Sequence, residues 1–136
     1  MRPRLAHVPW VRHVYRELNR GADAMATVAL QQKCPCIRIY QMNVPRVTRY
    51  ARVSFDGGRN NDTGEASSGW VLEVAEAKLA QDDAPAWNKV AEVGIFIGRR
   101  TVQEAEHCAA CEAIKALRAW LTGSLEAELL HSGCFR

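Results

Sequence analysis

The sequence lacks any long hydrophobic run, and none of its apolar stretches approaches the roughly 20 residues of a membrane-spanning helix. The start of the chain, from Met1 to Arg4, does not lead into the apolar core of a secretory signal. Repeats and low-complexity tracts are also missing. We therefore expect an intracellular protein of the nucleus or cytoplasm, which is neither secreted nor attached to a membrane.

The cysteines form no regular pattern either. Their count of five is odd and their spacing gives no disulfide framework, so reduced thiols inside a cell are the simplest interpretation. The net charge of +3 and the pI of about 8.7 permit a polyanionic partner without requiring one. A chain of 136 residues is one domain's worth and can close a single core.

The stretch around Asp56 organises the rest of the chain. From Tyr50 to Asp56, apolar and polar residues alternate with the period of a half-buried strand. Gly57 and Gly58 follow, so the backbone can turn sharply and leave the Asp56 carboxylate at an open strand end. On local rules alone, an aspartate before two glycines is most often a turn residue. The neighbouring elements decide whether Asp56 is such a turn residue or a functional acid at a strand end.

Further elements are predicted after this strand. Ser68–Ala75 and Val90–Ile97 have strand patterns, and the short loops between the strands imply an antiparallel meander. A long helix then covers Val102 to about Leu121. Thr101 is its expected cap, with Glu104 at the capping-box spacing, and Gly123 is expected to end it. Leu125–Leu130 is predicted as a fourth strand.

The long helix carries an acid in an unexpected position. Alanines form most of its apolar face, and Glu106 is predicted to lie in the middle of that face. A carboxylate there is costly unless it meets a partner charge, a hydrogen bond or a cation. An ordinary buried ion pair with an arginine and a metal site are both consistent with this pattern.

The amino-terminal block is predicted to hold an edge strand at 8–15 and a helix at 17–31. Asn19 is a candidate N-cap of this helix. Asp23 falls at the margin of the apolar stripe, in the first turns, where the helix dipole favours a negative charge. On local rules, Asp23 is therefore a favourable first-turn acid. Residues 31–49 are interpreted as a linker between two sequence blocks.

Three motifs resemble those of the ribonuclease H family. Phe55–Arg59, with the sequence Phe-Asp-Gly-Gly-Arg, is similar to the family's first-strand motif. Thr101–Glu106 is similar to its helix motif, in which a threonine leads to alanine-glutamate. His13–Ala26 resembles its carboxy-terminal motif, which runs from a histidine through an asparagine to alanine-aspartate. The plant- and retroelement-type branch is the most similar, which implies an origin in a mobile element such as a retrotransposon.

The order of these motifs differs from that of the family. Residues 1–30 resemble the family's carboxy-terminal strand and helix, whereas 50–136 resemble its amino-terminal part, and 31–49 link the two. The chain is therefore interpreted as a circular permutation, or as the tail of one domain joined to the head of the next. The family has a fourth aspartate at the end of its fourth strand. At the corresponding place this sequence has Gly133–Phe135 and no aspartate.

The resemblance implies a fold and an active site. The implied fold is an α/β, three-layer ribonuclease H-like fold: a mixed sheet with antiparallel strands 1–3 and a parallel strand 4, and helices on its faces. The implied activity is that of a nuclease, the endonucleolytic hydrolysis of the RNA strand of an RNA–DNA hybrid with two Mg²⁺ (or Mn²⁺) ions. The implied catalytic residues are three metal-binding carboxylates and a histidine, namely Asp56, Glu106, Asp23 and His13. The implied substrate-binding residues are Gly57, Arg59, Asn60 and Asn19.

Two alternatives remain open from the sequence. One is a catalytically inactive, nucleic-acid-binding relic of a mobile element, which the missing fourth aspartate favours. The other is a zinc-binding interaction module, because cysteines at C-x-C and C-x-x-C spacing are loosely similar to a zinc site. Its expected ligands are Cys34, Cys36, Cys108 and Cys111, with His107 as an additional candidate.

Overall fold

The computed structural model describes residues 19–40, 50–75 and 87–131. Within these residues the chain forms four strands and three helices. The strands are β1 (Cys36–Ile39), β2 (Tyr50–Arg59), β3 (Glu65–Ala75) and β4 (Asn88–Arg99). The helices are α1 (Arg20–Gln32), α2 (Val102–Thr122) and α3 (Leu125–His131). The strand predicted at 8–15 lies outside the described residues.

The four strands form one sheet in the order β1-β4-β3-β2, in which every neighbouring pair is antiparallel. β2 and β3 pair from end to end on either side of a polar turn at 60–64. β3 and β4 pair over most of their length, with two register irregularities. These three strands follow the meander that the sequence predicts.

The predicted mixed sheet with a parallel fourth strand is wrong, and with it the ribonuclease H-like fold class. Residues 125–131 form α3 instead of a strand. Leucine, alanine and glutamate are strong helix formers, and Leu125 and Leu129 are both buried at a helical spacing of four. Ser124 supports the first turn, because its carbonyl accepts from the Glu128 N–H at 3.1 Å. The fourth strand of the sheet is β1, which comes from the predicted linker and pairs antiparallel with β4.

α1 lies so close to the sheet that its backbone contacts two strands. Gly69 of β3 and Gly94 of β4 are opposite each other in the register. A Cβ on Gly69 would lie 2.3 Å from the Ala22 carbonyl oxygen, and one on Gly94 would lie 2.1 Å from that of Met25. Any larger residue would clash at these two positions, so the glycines fix how close α1 can lie.

α2 packs on the opposite face of the sheet. Ser67 and Ser68 are consecutive residues of β3, so their side chains point to opposite faces. The buried Ser67 hydroxyl donates to the Ala26 carbonyl of α1 at 2.6 Å, and the buried Ser68 hydroxyl donates to the Ala105 carbonyl of α2 at 2.9 Å. The described part of the chain therefore has a helix on each face of the sheet.

Both ends of α2 carry the signals that the sequence predicts. The Thr101 hydroxyl accepts from the Glu104 N–H, and the Glu104 carboxylate accepts from the Thr101 N–H, which completes a capping box. The Thr101 backbone N–H, by donating to the Glu104 carboxylate, lowers the pKa of that carboxyl. Gly123 ends the helix in the left-handed conformation, with a φ of 82°. The buried face of α2 consists of small residues and one tryptophan: Ala105, Ala109, Ala113, Ala116, Ala119 and Trp120.

The edge strand β1 is held by a buried acid on β4. Glu92 has only 3% of its surface exposed. It accepts a hydrogen bond from the Tyr40 hydroxyl and pairs with Arg38 at 3.7 Å and Lys89 at 3.6 Å. Because the carboxylate stabilises the neutral phenol, this bond raises the pKa of Tyr40. A buried carboxylate requires such partners, and here they come mostly from β1 and the residue after it.

The substitution Gly94→Ala tests the close approach of α1. The added methyl would lie 2.1 Å from the Met25 carbonyl oxygen, so α1 has to move, and we expect the free energy of unfolding to fall by about 1–3 kcal/mol. The matched control is Gly58→Ala in β2, where a Cβ would meet nothing closer than 3.5 Å. Urea unfolding followed by circular dichroism measures both variants. Equal stability of the two variants would contradict the described packing.

Candidate functional site

Asp56 lies on β2, on the sheet face that α1 covers. Its register partner is Gly69, which faces α1, and paired residues of adjacent strands share a face. The Asp56 side chain is half-buried. The expected sharp turn after Asp56 is wrong, because Gly57 and Gly58 continue the pairing with β3 and the chain turns at 60–64. The aspartate is therefore a strand residue beside a helix.

The start of α1 runs alongside β2 at this point. Asn19, directly before the helix, donates from Nδ2 to the carbonyl of the residue before Asp56 at 2.8 Å. Two turns later, Ala26 lies over Gly58, where an added Cβ would be 3.9 Å from its methyl. α1 and β2 therefore advance in the same direction from one contact to the other.

These two contacts bracket Asp23. It lies one helical turn after Asn19, and that turn spans about 6 Å, or about two residues of a strand. Asp23 is therefore level with Asp56 and Gly57, on the side of α1 that Asn19 and Ala26 turn toward β2. Like Asp56, it is half-buried. Asp23 and Asp56 therefore lie on the same face of β2 at a similar level, although they come from separate sequence blocks.

Asn19 adds a third oxygen at this position. Asn19 occupies the predicted N-cap position, but its side chain makes no capping bond. Its Oδ1 is buried and has no hydrogen-bond partner among the described residues. A buried acceptor without a partner costs about 1–3 kcal/mol, so such atoms are uncommon. Two carboxylates and an amide oxygen are the ligand types that Mg²⁺ or Mn²⁺ prefers, so these three residues fit a hard cation.

Glu106 approaches Asp56 through its backbone only. A Cβ on Gly57 would lie 2.6 Å from the Glu106 nitrogen, so α2 touches β2 at the residue after Asp56. However, Gly57 and Asp56 face opposite sides of the sheet, so Glu106 and Asp23 belong to helices on different faces. The predicted position of Glu106 within the apolar face is wrong. Its side chain is exposed, because it is rotated about 100° from the buried Ala105.

The described residues contain no group of three or more histidine, cysteine, aspartate or glutamate side chains that could hold a metal. The sheet explains this result, because it separates Glu106 from Asp23 and Asp56. His13, which the sequence also predicts to be catalytic, lies outside the described residues. Asp23, Asp56 and Asn19 therefore lie on one face of β2, and Glu106 belongs to the helix on the other face.

Three exposed arginines lie together beyond the site. Arg59 ends β2, Arg99 ends β4 and Arg100 follows it. The Nε of Arg59 donates to the Arg100 carbonyl at 2.9 Å, which joins the two strand ends. None of the three forms an ion pair with an acid in the described ranges, and we name this trio the arginine end. The predicted Asn60 lies next to it, but its Oδ1 accepts from two backbone N–H groups of the turn, at residues 62 and 63.

The cysteines predicted for a zinc module lie in different parts of the structure. Cys36 is opposite Gly94 in the register, on the face of α1, and Cys34 precedes it. Cys108 and Cys111 lie on α2, on the other face. Cys36, Cys108 and Cys111 are free thiols. The described residues therefore do not form the expected cysteine cluster.

Sequence reasoning misses three features of this region. The buried acid is Glu92 rather than Glu106, and its signal is an acid inside the apolar run of β4. The hydroxyls of Ser67 and Ser68 donate hydrogen bonds to α1 and α2, but their only sequence signal is a serine pair before a glycine. The arginine end joins residues that are 41 positions apart, so no local pattern could reveal it.

Comparisons with known proteins give no match: no protein-family model, no curated protein and no solved structure is similar to this chain. The candidate site therefore depends on its own geometry and on the motifs in the sequence. Among the helices of the described segments, none combines the length and the apolar character that crossing a membrane would require.

A double-mutant cycle tests the pairing of Asp23 with Asp56. Like charges at short range repel, so we expect Asp23→Asn and Asp56→Asn to be coupled by at least about 0.5 kcal/mol in the free energy of unfolding. The coupling should appear at low salt without divalent cations and shrink at high salt. The control cycle combines Asp56→Asn with Asp62→Asn, because Asp62 is an exposed acid of the 60–64 turn. Additive effects in both cycles would show that the two carboxylates are not neighbours.

Proposed function

We propose that this chain is an intracellular nucleic-acid-binding domain that hydrolyses the RNA strand of an RNA–DNA hybrid with Mg²⁺ or Mn²⁺. The convergence of separate motifs supports the proposal most strongly. The segments Asn19–Asp23 and Thr101–Glu106 are distant in sequence, yet both contact β2 at Phe55–Gly57. These are the segments in which the sequence motifs place the metal-binding acids.

The arginine end supplies the positive charge for a polyanion. Arg59 is three residues along β2 from Asp56, or about 10 Å, and the alternation of side chains places it on the opposite face, at the end of the strand. Exposed arginines bind phosphates through charge-assisted hydrogen bonds and release the counterions of the duplex. A hybrid is recognised mainly by its shape, its phosphates and its 2′-hydroxyls. The arginine end would therefore position the duplex while Asp23 and Asp56 lie beside one strand of it.

The acids supply the means to hold a divalent cation. Asp23, Asp56 and the unpaired Asn19 Oδ1 would bind it, and Glu106 is the further acid that the motifs supply. When bound, Mg²⁺ activates a water and stabilises the leaving oxygen of a phosphodiester. The protein's part is to concentrate oxygen ligands on one face of β2 and to hold the RNA backbone against them.

A second candidate function is nucleic-acid binding without cleavage. Two observations favour it: α3 occupies the place of the strand that should lead to a fourth acid, and Glu106 is separated from the other acids by the sheet. In this case the arginine end still binds phosphates, but no cation-dependent hydrolysis occurs. Binding and cleavage must therefore be measured separately.

The binding half of the proposal predicts a salt dependence. For the triple variant Arg59→Ala, Arg99→Ala and Arg100→Ala, we expect weaker binding of an RNA–DNA hybrid and a slope of log K against log salt that is smaller by up to about three, or about one per lost phosphate contact. Fluorescence anisotropy of a labelled hybrid measures both quantities. The matched control is Arg118→Ala, an exposed arginine near the other end of α2. A slope that is unchanged in the triple variant would contradict this assignment.

The catalytic half predicts a cation-dependent cleavage. We expect the chain to cut the RNA strand of an end-labelled hybrid in Mg²⁺ or Mn²⁺, and Asp56→Asn to reduce the rate at least about a hundredfold, because it removes a direct metal ligand. Asp62→Asn makes the same change of charge on an exposed turn and should retain the activity. Hybrid binding by the wild-type chain without any cleavage would favour the second candidate function.

A further inference from the structure

A histidine and a cysteine form a close pair on the outer surface of α2. The Nε2 of His107 and the Sγ of Cys111 are 3.5 Å apart, and both side chains are exposed. The two residues are four apart in sequence, so they lie one above the other on the same side of the helix. The buried face of α2 is on the other side, which leaves this pair free of any packing role.

The separation of the two atoms matches the requirement of a metal ion. In a tetrahedral zinc site the Zn–N distance is about 2.0–2.1 Å and the Zn–S distance about 2.3 Å, so a nitrogen and a sulfur on one ion are about 3.5 Å apart. The His107 and Cys111 atoms are already at this distance. A cation could therefore bind between them with little movement of either side chain.

We propose that His107 and Cys111 form a two-ligand site for a soft divalent cation such as Zn²⁺, with the remaining coordination positions open to solvent. Imidazole and thiolate are the ligands that this class of cation prefers, whereas Mg²⁺ prefers oxygen. The site differs from the carboxylate site in ligand chemistry and does not depend on the proposed function.

The neighbouring side chains do not complete a closed site. Glu104, one turn before His107, accepts from the Thr101 N–H in the capping box. Glu112 pairs with Lys115 at 2.9 Å. Cys108 is rotated about 100° from His107 around the helix. The site therefore has open positions, as catalytic zinc sites do, rather than the four protein ligands of a structural zinc site.

Cobalt titration of the metal-free full-length protein tests this proposal, because a thiolate bound to Co²⁺ gives a charge-transfer absorption. We expect this absorption in the wild type and its loss on addition of Zn²⁺. We also expect its loss in Cys111→Ser and in His107→Ala. The matched control is Cys108→Ser, which removes a thiol less than one helical turn from Cys111. This variant should keep the absorption. Its persistence in Cys111→Ser, or its loss in Cys108→Ser, would overturn the proposal.

Alkylation of the thiols gives a second test that needs no cobalt. Zn²⁺ should abolish the labelling of Cys111 by iodoacetamide in the wild type and should have no such effect in His107→Ala. The labelling of Cys108 and Cys34 in the same samples provides internal controls. Equal labelling of Cys111 with and without Zn²⁺ would show that no zinc binds at this pair.

Discussion

The rest of the structure depends on one constraint, which is the close approach of α1 and α2 to the sheet at glycine residues. α1 contacts β3 and β4 at Gly69 and Gly94, and α2 contacts β2 at Gly57, all at distances that exclude a Cβ. These contacts leave room only for small side chains on the helices, which explains why their buried faces consist largely of alanine. The buried hydroxyls of Ser67 and Ser68 then fix the helices along the sheet, because each satisfies a helix carbonyl.

This packing also decides which candidate residues meet. Because α1 runs beside β2, Asp23 is level with Asp56, and Asn19, whose Oδ1 has no hydrogen-bond partner within the described ranges, contacts the residue before Asp56. The same packing puts α2 on the other face, so Glu106 reaches β2 with its backbone while its side chain is exposed. The proposed cation site therefore lies on one face of β2, and the arginine end lies at the end of that strand.

The sequence predicts the local features of this chain better than its long-range ones. The limits of α2 follow from Thr101, Glu104 and Gly123, because capping signals act over a few residues. The apolar residues of Leu125–Leu130 predict a strand, but the helix formers of this segment and the spacing of its leucines favour the helix that it forms. The pairing of β1 with β4 depends on contacts between distant segments, so no local pattern carries it.

In the proposed function, the acids of α1 and β2 hold one cation together, with α2 on the other face of the strand. Paramagnetic broadening of backbone amide signals by substoichiometric Mn²⁺ tests it most directly, because the effect falls steeply with distance from the ion. In the wild type, we expect the signals of four residues to broaden together at the lowest Mn²⁺ concentrations, namely Asn19, Asp23, Asp56 and Gly57. The substitution Asp56→Asn should abolish the broadening at all four. Broadening at Asp56 that leaves Asp23 and Asn19 unchanged, or none at these residues, would contradict it.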